Sequence, residues 1–191
     1  MALGLPALCF GAGSLVLSPR PAAAQRPAIA ADTAEFEFLG FRPGLTLAEL
    51  RERAAQGGHG SLGCRAGSAD PRLLECRGGL PELDSGRSVD LWVSVINGRG
   101  AILTLSSRLT EARLARWREL LEGRYGAGRE RRQGPGRMLQ WVRHGRMLRL
   151  TWRPKGREFE ASVSMVDGPL LDAWANEGKR PRAAGLGPQT P

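Results

Sequence analysis

Two periods of apolar residue alternate along this chain, and the switches between them mark out its elements. Glu35-Phe36-Glu37-Phe38-Leu39-Gly40-Phe41 mixes acids and aromatics in near alternation, which predicts a short first strand ended by Arg42-Pro43-Gly44. Thr46 and Glu49 then stand at capping-box spacing: the threonine oxygen takes an orphan helix N–H, and the glutamate reaches back to the threonine N–H. The helix they open runs to about Ala55, buries Leu47, Leu50 and Ala54, and stops at Gly57-Gly58.

Between Ser61 and Gly79 two short strands flank the turn-forming stretch Ala66 to Pro71. Ser88–Ile96 and Ala101–Ser106 are apolar and β-branched, and Asn97-Gly98-Arg99-Gly100 between them supplies the positive-φ positions of a hairpin. Apolar side chains occupy both faces of this pair, which leaves its register open and places it centrally in a sheet. Thr110 opens a second helix to about Arg124, with Leu114, Trp117, Leu120 and Leu121 toward a core and Arg113, Arg116, Glu119 and Glu122 opposite. Gly123, Gly126 and Gly128 are spaced like phosphate-binding glycines but follow a helix rather than a strand, so they read as helix-stop residues. A flexible basic loop is expected from Gly126 to Gly136.

Met138–Arg143 and Arg146–Arg153 form the clearest hairpin, turning at His144-Gly145. That turn pairs Arg143 with Arg146, Trp141 with Leu148 and Leu139 with Leu150. One face then carries Leu139, Trp141, Leu148, Leu150 and Trp152, while Met138, Gln140, Val142, Met147, Arg149, Thr151 and Arg153 face solvent. A turn at Arg153-Pro154-Lys155-Gly156 leads to a strand over Glu158–Val166, and Pro169 starts a closing helix to about Ala175. The order predicts an α+β fold: an antiparallel sheet, two main helices packed on one of its faces, and a short C-terminal helix. Each half is a helix followed by antiparallel strands, as a loose duplication would give.

The chain's ends differ from this body. Residues 1–24 read as a signal peptide: an apolar run through Leu17, a break at Ser18-Pro19, and Ala22-Ala23-Ala24 as the cleavage signal, although no Lys or Arg precedes the run. The expected location is therefore exported, periplasmic or secreted. Residues 25–34 and 177–191 are aperiodic and rich in small residues or proline, and read as a disordered linker and tail around a single domain over 35–176. Cys9 leaves with the leader and has no small residue directly ahead of it, against a lipid anchor. The two cysteines that remain, Cys64 and Cys76, read as a disulfide. No later run approaches the roughly 20 apolar residues of a membrane span, so no transmembrane segment is expected in the mature chain.

Charge and chemistry narrow the function classes further. The formal net charge is +9, of which the leader takes only Arg20. Lysine occurs only at Lys155 and Lys179, so arginine-biased composition accounts for part of this basicity. Arg129, Arg131, Arg132, Arg149 and Arg153 are the candidate anion-binding residues, with Tyr125, Trp141 and Trp152 interleaved; an Arg-rich solvated face would show the same density. The two histidines, His59 in a glycine-rich loop and His144 in a turn, have no partner at metal or triad spacing. No catalytic residue, metal ligand or cofactor is predicted.

Gly44-Leu45-Thr46 at the start of the first helix, together with the element order, resembles small envelope domains typified by the outer-membrane assembly lipoprotein BamE and the β-lactamase inhibitor proteins. The matching piece spans Phe41 to Arg53, and the lipoprotein cysteine of BamE is absent. The resemblance implies a non-catalytic envelope binding module and carries over no functional residue. Three readings follow: an exported binding module for a protein or an anionic envelope component, a secreted hydrolase whose residues converge only in three dimensions, and a nucleic-acid-binding protein, which the charge permits and the leader opposes.

Overall fold

A computed structural model describes residues 35–56, 61–68, 70–81 and 88–177, the side chain of Gln133 excepted. The expected leader and linker, the expected helix stop at Gly57-Gly58, His59 and the expected tail beyond Glu177 lie outside these residues. The described chain runs α1 (Leu47–Gln56), β1 (Gly63–Ala66), β2 (Leu73–Pro81), β3 (Ser88–Ile96), β4 (Arg99–Leu109), α2 (Glu111–Tyr125), β5 (Arg129–Gln133), β6 (Gly136–Arg143), β7 (Arg146–Lys155), β8 (Glu158–Asp167) and α3 (Gly168–Glu177). The fold is α+β as expected, dominated by one antiparallel sheet in the order β1-β2-β3-β4-β8-β7-β6-β5. Each half is a helix followed by a four-strand meander, and the halves meet through their last strands, β4 and β8. The duplication legible in the sequence is thus an arrangement of the sheet.

Alternation along the strands divides the sheet's residues into two sets. Val89, Leu91, Val93 and Val95 of β3, Leu103 and Leu105 of β4, Leu148 and Leu150 of β7 and Val163 and Met165 of β8 all enter one buried cluster. Leu50 and Ala54 of α1 and Leu114, Trp117, Leu121 and Tyr125 of α2 enter the same cluster. The capping box opens α1 as predicted: Thr46 N–H donates to Glu49 Oε2 at 2.7 Å and Glu49 N–H donates to Thr46 Oγ1 at 3.3 Å. Thr110 precedes α2 in an extended conformation but makes no side-chain cap bond. Gly126, at φ 78°, ends that helix in backbone that favours glycine.

The sequence reading is corrected at three places. Residues 35–41 form no strand of the sheet; Leu39 and Gly40 take φ of 51° and 79°, and the chain turns so that Phe38 bridges Phe41. The aromatics plug the core instead, Phe36 edge-on to Tyr125 at 5.2 Å and Phe38 to Trp117 at 4.9 Å. The basic loop contains a strand, β5, which pairs only with β6 at the sheet's edge. The β3–β4 turn is two residues rather than four: Asn97 and Gly98 both have positive φ, and the ladder resumes at Arg99.

Elsewhere the expected pairings are observed. Cys64 lies opposite Cys76 and the two form a disulfide. Arg143–Arg146, Trp141–Leu148 and Leu139–Leu150 pair as read from the hairpin, with His144 and Gly145 in its turn at φ of 48° and 72°. Met138 and Leu120 depart from their expected exposure in opposite directions: Met138 is only 9% accessible, whereas Leu120, read as part of the core stripe of α2, is 54% accessible. Among the described residues no helix is long and apolar enough to cross a membrane.

Candidate binding face of the sheet

The strand residues that alternate away from the core are brought into rows by the register. One row crosses Arg77 of β2, Trp92 of β3, Thr104 of β4, Ser164 of β8, Arg149 of β7, Gln140 of β6 and Arg129 of β5. The next crosses Asp90, Ser106, Ser162, Thr151, Met138 and Arg131. A third carries Arg108, Glu160 and Arg153.

Side-chain size gives this face its relief. The central strands β4 and β8 present Thr104, Ser106, Ser162 and Ser164, whereas the flanking strands present tryptophan, arginine and methionine. The result is a trough between β3 and β7, which lie three strand spacings apart, or about 14 Å. Its floor is hydroxyls: Thr104 Oγ1 and Ser164 Oγ share a hydrogen bond of 3.1 Å, and Thr151 Oγ1 and Ser162 Oγ one of 2.7 Å. A cleft of about 600 Å³ occupies the Arg108–Arg153 end, and a second of about 480 Å³ under Arg77 and Trp92 shares Asp90 and Ser106 with it. At the opposite end α3 lies against β3, β4 and β7, where Ser94 and Ile96 are buried although they alternate away from the core.

Three electrostatic features matter. Arg153 Nε donates to Glu160 Oε2 at 2.7 Å, and Lys155 Nζ donates to the other carboxylate oxygen. Those bonds, that of Lys155 first and that of Arg153 second, hold the Glu160 carboxyl below the usual carboxylate range. Arg149 is only partly engaged: one Nη donates to Met147 Sδ at 3.4 Å, while its buried Nε has no hydrogen-bond partner among the described residues.

Four of the five candidate arginines, Arg129, Arg131, Arg149 and Arg153, share this face. Arg132 does not: it pairs with Arg137 and alternates to the other side of β5. The sequence reading missed Arg77 and Trp92, because β2 and β3 carry apolar residues on both faces and their register was unreadable without the pairing, and Arg108, because it ended β4 at Ser106. His144 sits in its turn, away from the trough's lining, and among the described residues no group of three His, Cys, Asp or Glu side chains could hold a metal ion. Comparison of the chain with protein-family models, curated proteins and solved structures finds no match in any of the three.

Proposed function

We propose that this chain is an exported, non-catalytic binding module whose outer sheet face takes an anionic surface, on a protein or on an envelope component. In this reading α1 and α2 pack together on the core face, as their shared buried cluster suggests, and the opposite face is the working one. The observation that carries it is the set of guanidinium groups on Arg77, Arg149 and Arg153 around a floor of small hydroxyls, with Arg129 farther out on the same face. Guanidinium forks recognise carboxylates and phosphates, and serine or threonine hydroxyls add donors without filling the trough. The Cys64–Cys76 bridge and the leader pattern support export, and the resemblance to small envelope domains points the same way.

The hydrolase reading has one point in its favour, since Asp90 and Glu160 both line the larger cleft. A carboxylate pair working as acid and base needs one member to keep its proton. Glu160 is bound by Lys155 and Arg153 in its ionised form, which opposes that role. Against nucleic acid stands the leader; a steep fall of affinity with salt on duplex DNA would restore that reading.

The test is charge reversal on the face. Arg77→Glu/Arg149→Glu should abolish retention on an immobilised polycarboxylate at moderate salt while the variant's circular dichroism spectrum stays that of the folded wild type. Equal retention of variant and wild type would remove the outer face from the account.

A further inference from the structure

A third cleft lies where α2 meets the ends of β7 and β8. It has a volume of about 360 Å³, and its apolar wall comes from Leu114 and Ala115 of α2, Trp152 of β7 and Phe159 of β8. Arg118 and Arg137 also line it, with exposed Glu111 as its one carboxylate. The Arg118 guanidinium stands over the Trp152 ring, 5.3 Å from the centroid, and its buried Nε has no hydrogen-bond partner among the described residues. The cation–π contact holds the guanidinium against Trp152 at the edge of the cleft, and the unpaired Nε shows that its hydrogen-bonding capacity is not used up by the protein.

We propose that this cleft binds a medium-chain carboxylate, with the alkyl chain against Trp152, Phe159 and Leu114 and the carboxylate at Arg118 and Arg137. An apolar cavity with a few convergent polar groups is the usual form of a small-molecule site. At roughly 30 Å³ for each non-hydrogen atom the space holds about a dozen, the size of decanoate. The headgroup follows from the charges: Arg118 and Arg137 line the cleft with Glu111, and Arg137 keeps a loose ion pair with Glu130 at 4.0 Å, so Arg118 is the principal partner of an anion. The apolar wall rejects a small hydrated anion such as phosphate. The proposal does not rest on the outer face, because Arg77 and Arg149 do not line this cleft.

The experiment is a calorimetric and tryptophan-fluorescence titration of the full chain with decanoate, below its micelle-forming concentration, beside decanol. Wild type should bind one decanoate saturably and at least tenfold more tightly than decanol. Arg118→Gln should remove that preference, and Ala115→Trp, which fills the cleft from an exposed helix position, should abolish saturable binding with the circular dichroism spectrum unchanged. Arg149→Glu should bind decanoate as wild type does, so that failure here and failure of the outer face are separable. No saturable binding by wild type, or equal binding by the folded Ala115→Trp protein, would overturn the assignment. Equal affinities for decanoate and decanol would overturn the role of Arg118 and Arg137.

Discussion

Tyr125 ties the end of α2 to the Glu35–Phe41 segment through one hydroxyl. Its oxygen accepts a hydrogen bond from Glu37 N–H at 2.7 Å and donates one to the Glu37 carbonyl at 2.9 Å, while its ring packs edge-on against Phe36. Burial pushes the phenol's pKa up, against the lowering effects of the Glu37 backbone bond and Arg124. The folded state therefore holds this proton more tightly than the unfolded chain does. The resulting stability is fully present below the unfolded value near 10 and is lost as pH rises through the higher folded one. As the chain's single tyrosine, Tyr125 can be followed by absorbance at 295 nm. The titration should run above the ordinary tyrosine range in the folded protein and return to it in denaturant, and a midpoint at the ordinary value in both would refute its burial.

Two glycines make a matched pair at the same scale. A Cβ on Gly168 would stand 2.2 Å from the Gly145 carbonyl oxygen, where the Gly168 N–H itself donates at 3.2 Å, so the start of α3 is sealed onto the β6–β7 turn. Gly168→Ala should cost about 1–3 kcal/mol by overpacking. Gly123, inside α2 with nothing within 4 Å of an added Cβ, should respond oppositely: Gly123→Ala gains about 0.5–1 kcal/mol from helix propensity. Thermal denaturation of the two variants reads both signs, and a neutral Gly168→Ala would mean that α3 does not dock there.

At the scale of elements, legibility followed local chemistry. The capping box of α1, the apolar stripe of α2 and the His144-Gly145 hairpin are each written in a few neighbouring residues, and each was found with its pairing or limits nearly right. What failed was whatever depends on a distant partner. Alternating Glu35–Phe41 looks like a strand because aromatics that plug a core from a turn produce the same pattern. Arg129–Gln133 looks like a loop because an edge strand has one partner and needs no apolar alternation. The first hairpin, β1–β2, was readable from its two cysteines and the turn-forming stretch between them. Replacing both, Cys64→Ala/Cys76→Ala, should lower unfolding stability by about 3 kcal/mol in the chain-entropy account of a loop this short. Denaturant titration checks the value, and an unchanged midpoint would show that the bridge contributes nothing.

The whole molecule is two helix-plus-meander halves joined edge to edge, and that joining creates the candidate site. Neither half holds the trough by itself: Trp92 and Arg77 come from the first, Arg149 and Arg153 from the second, and the hydroxyl floor from β4 and β8 at the seam. Sequence reading placed Arg149 and Arg153 on this face from the alternation of the His144-Gly145 hairpin and added Arg129 and Arg131 from arginine density, but could not see that β4 and β8 are neighbours, so the trough was invisible to it. The central claim is that the trough's guanidinia, rather than the chain's general basicity, bind an anionic surface. The most direct measurement compares salt elution from an immobilised polycarboxylate for wild type, for Arg77→Glu/Arg149→Glu on the face, and for a control with the same charge change at exposed helix positions, Arg51→Glu/Arg116→Glu. The account predicts that wild type and control elute together at high salt while the face variant flows through; equal losses in both variants would contradict it.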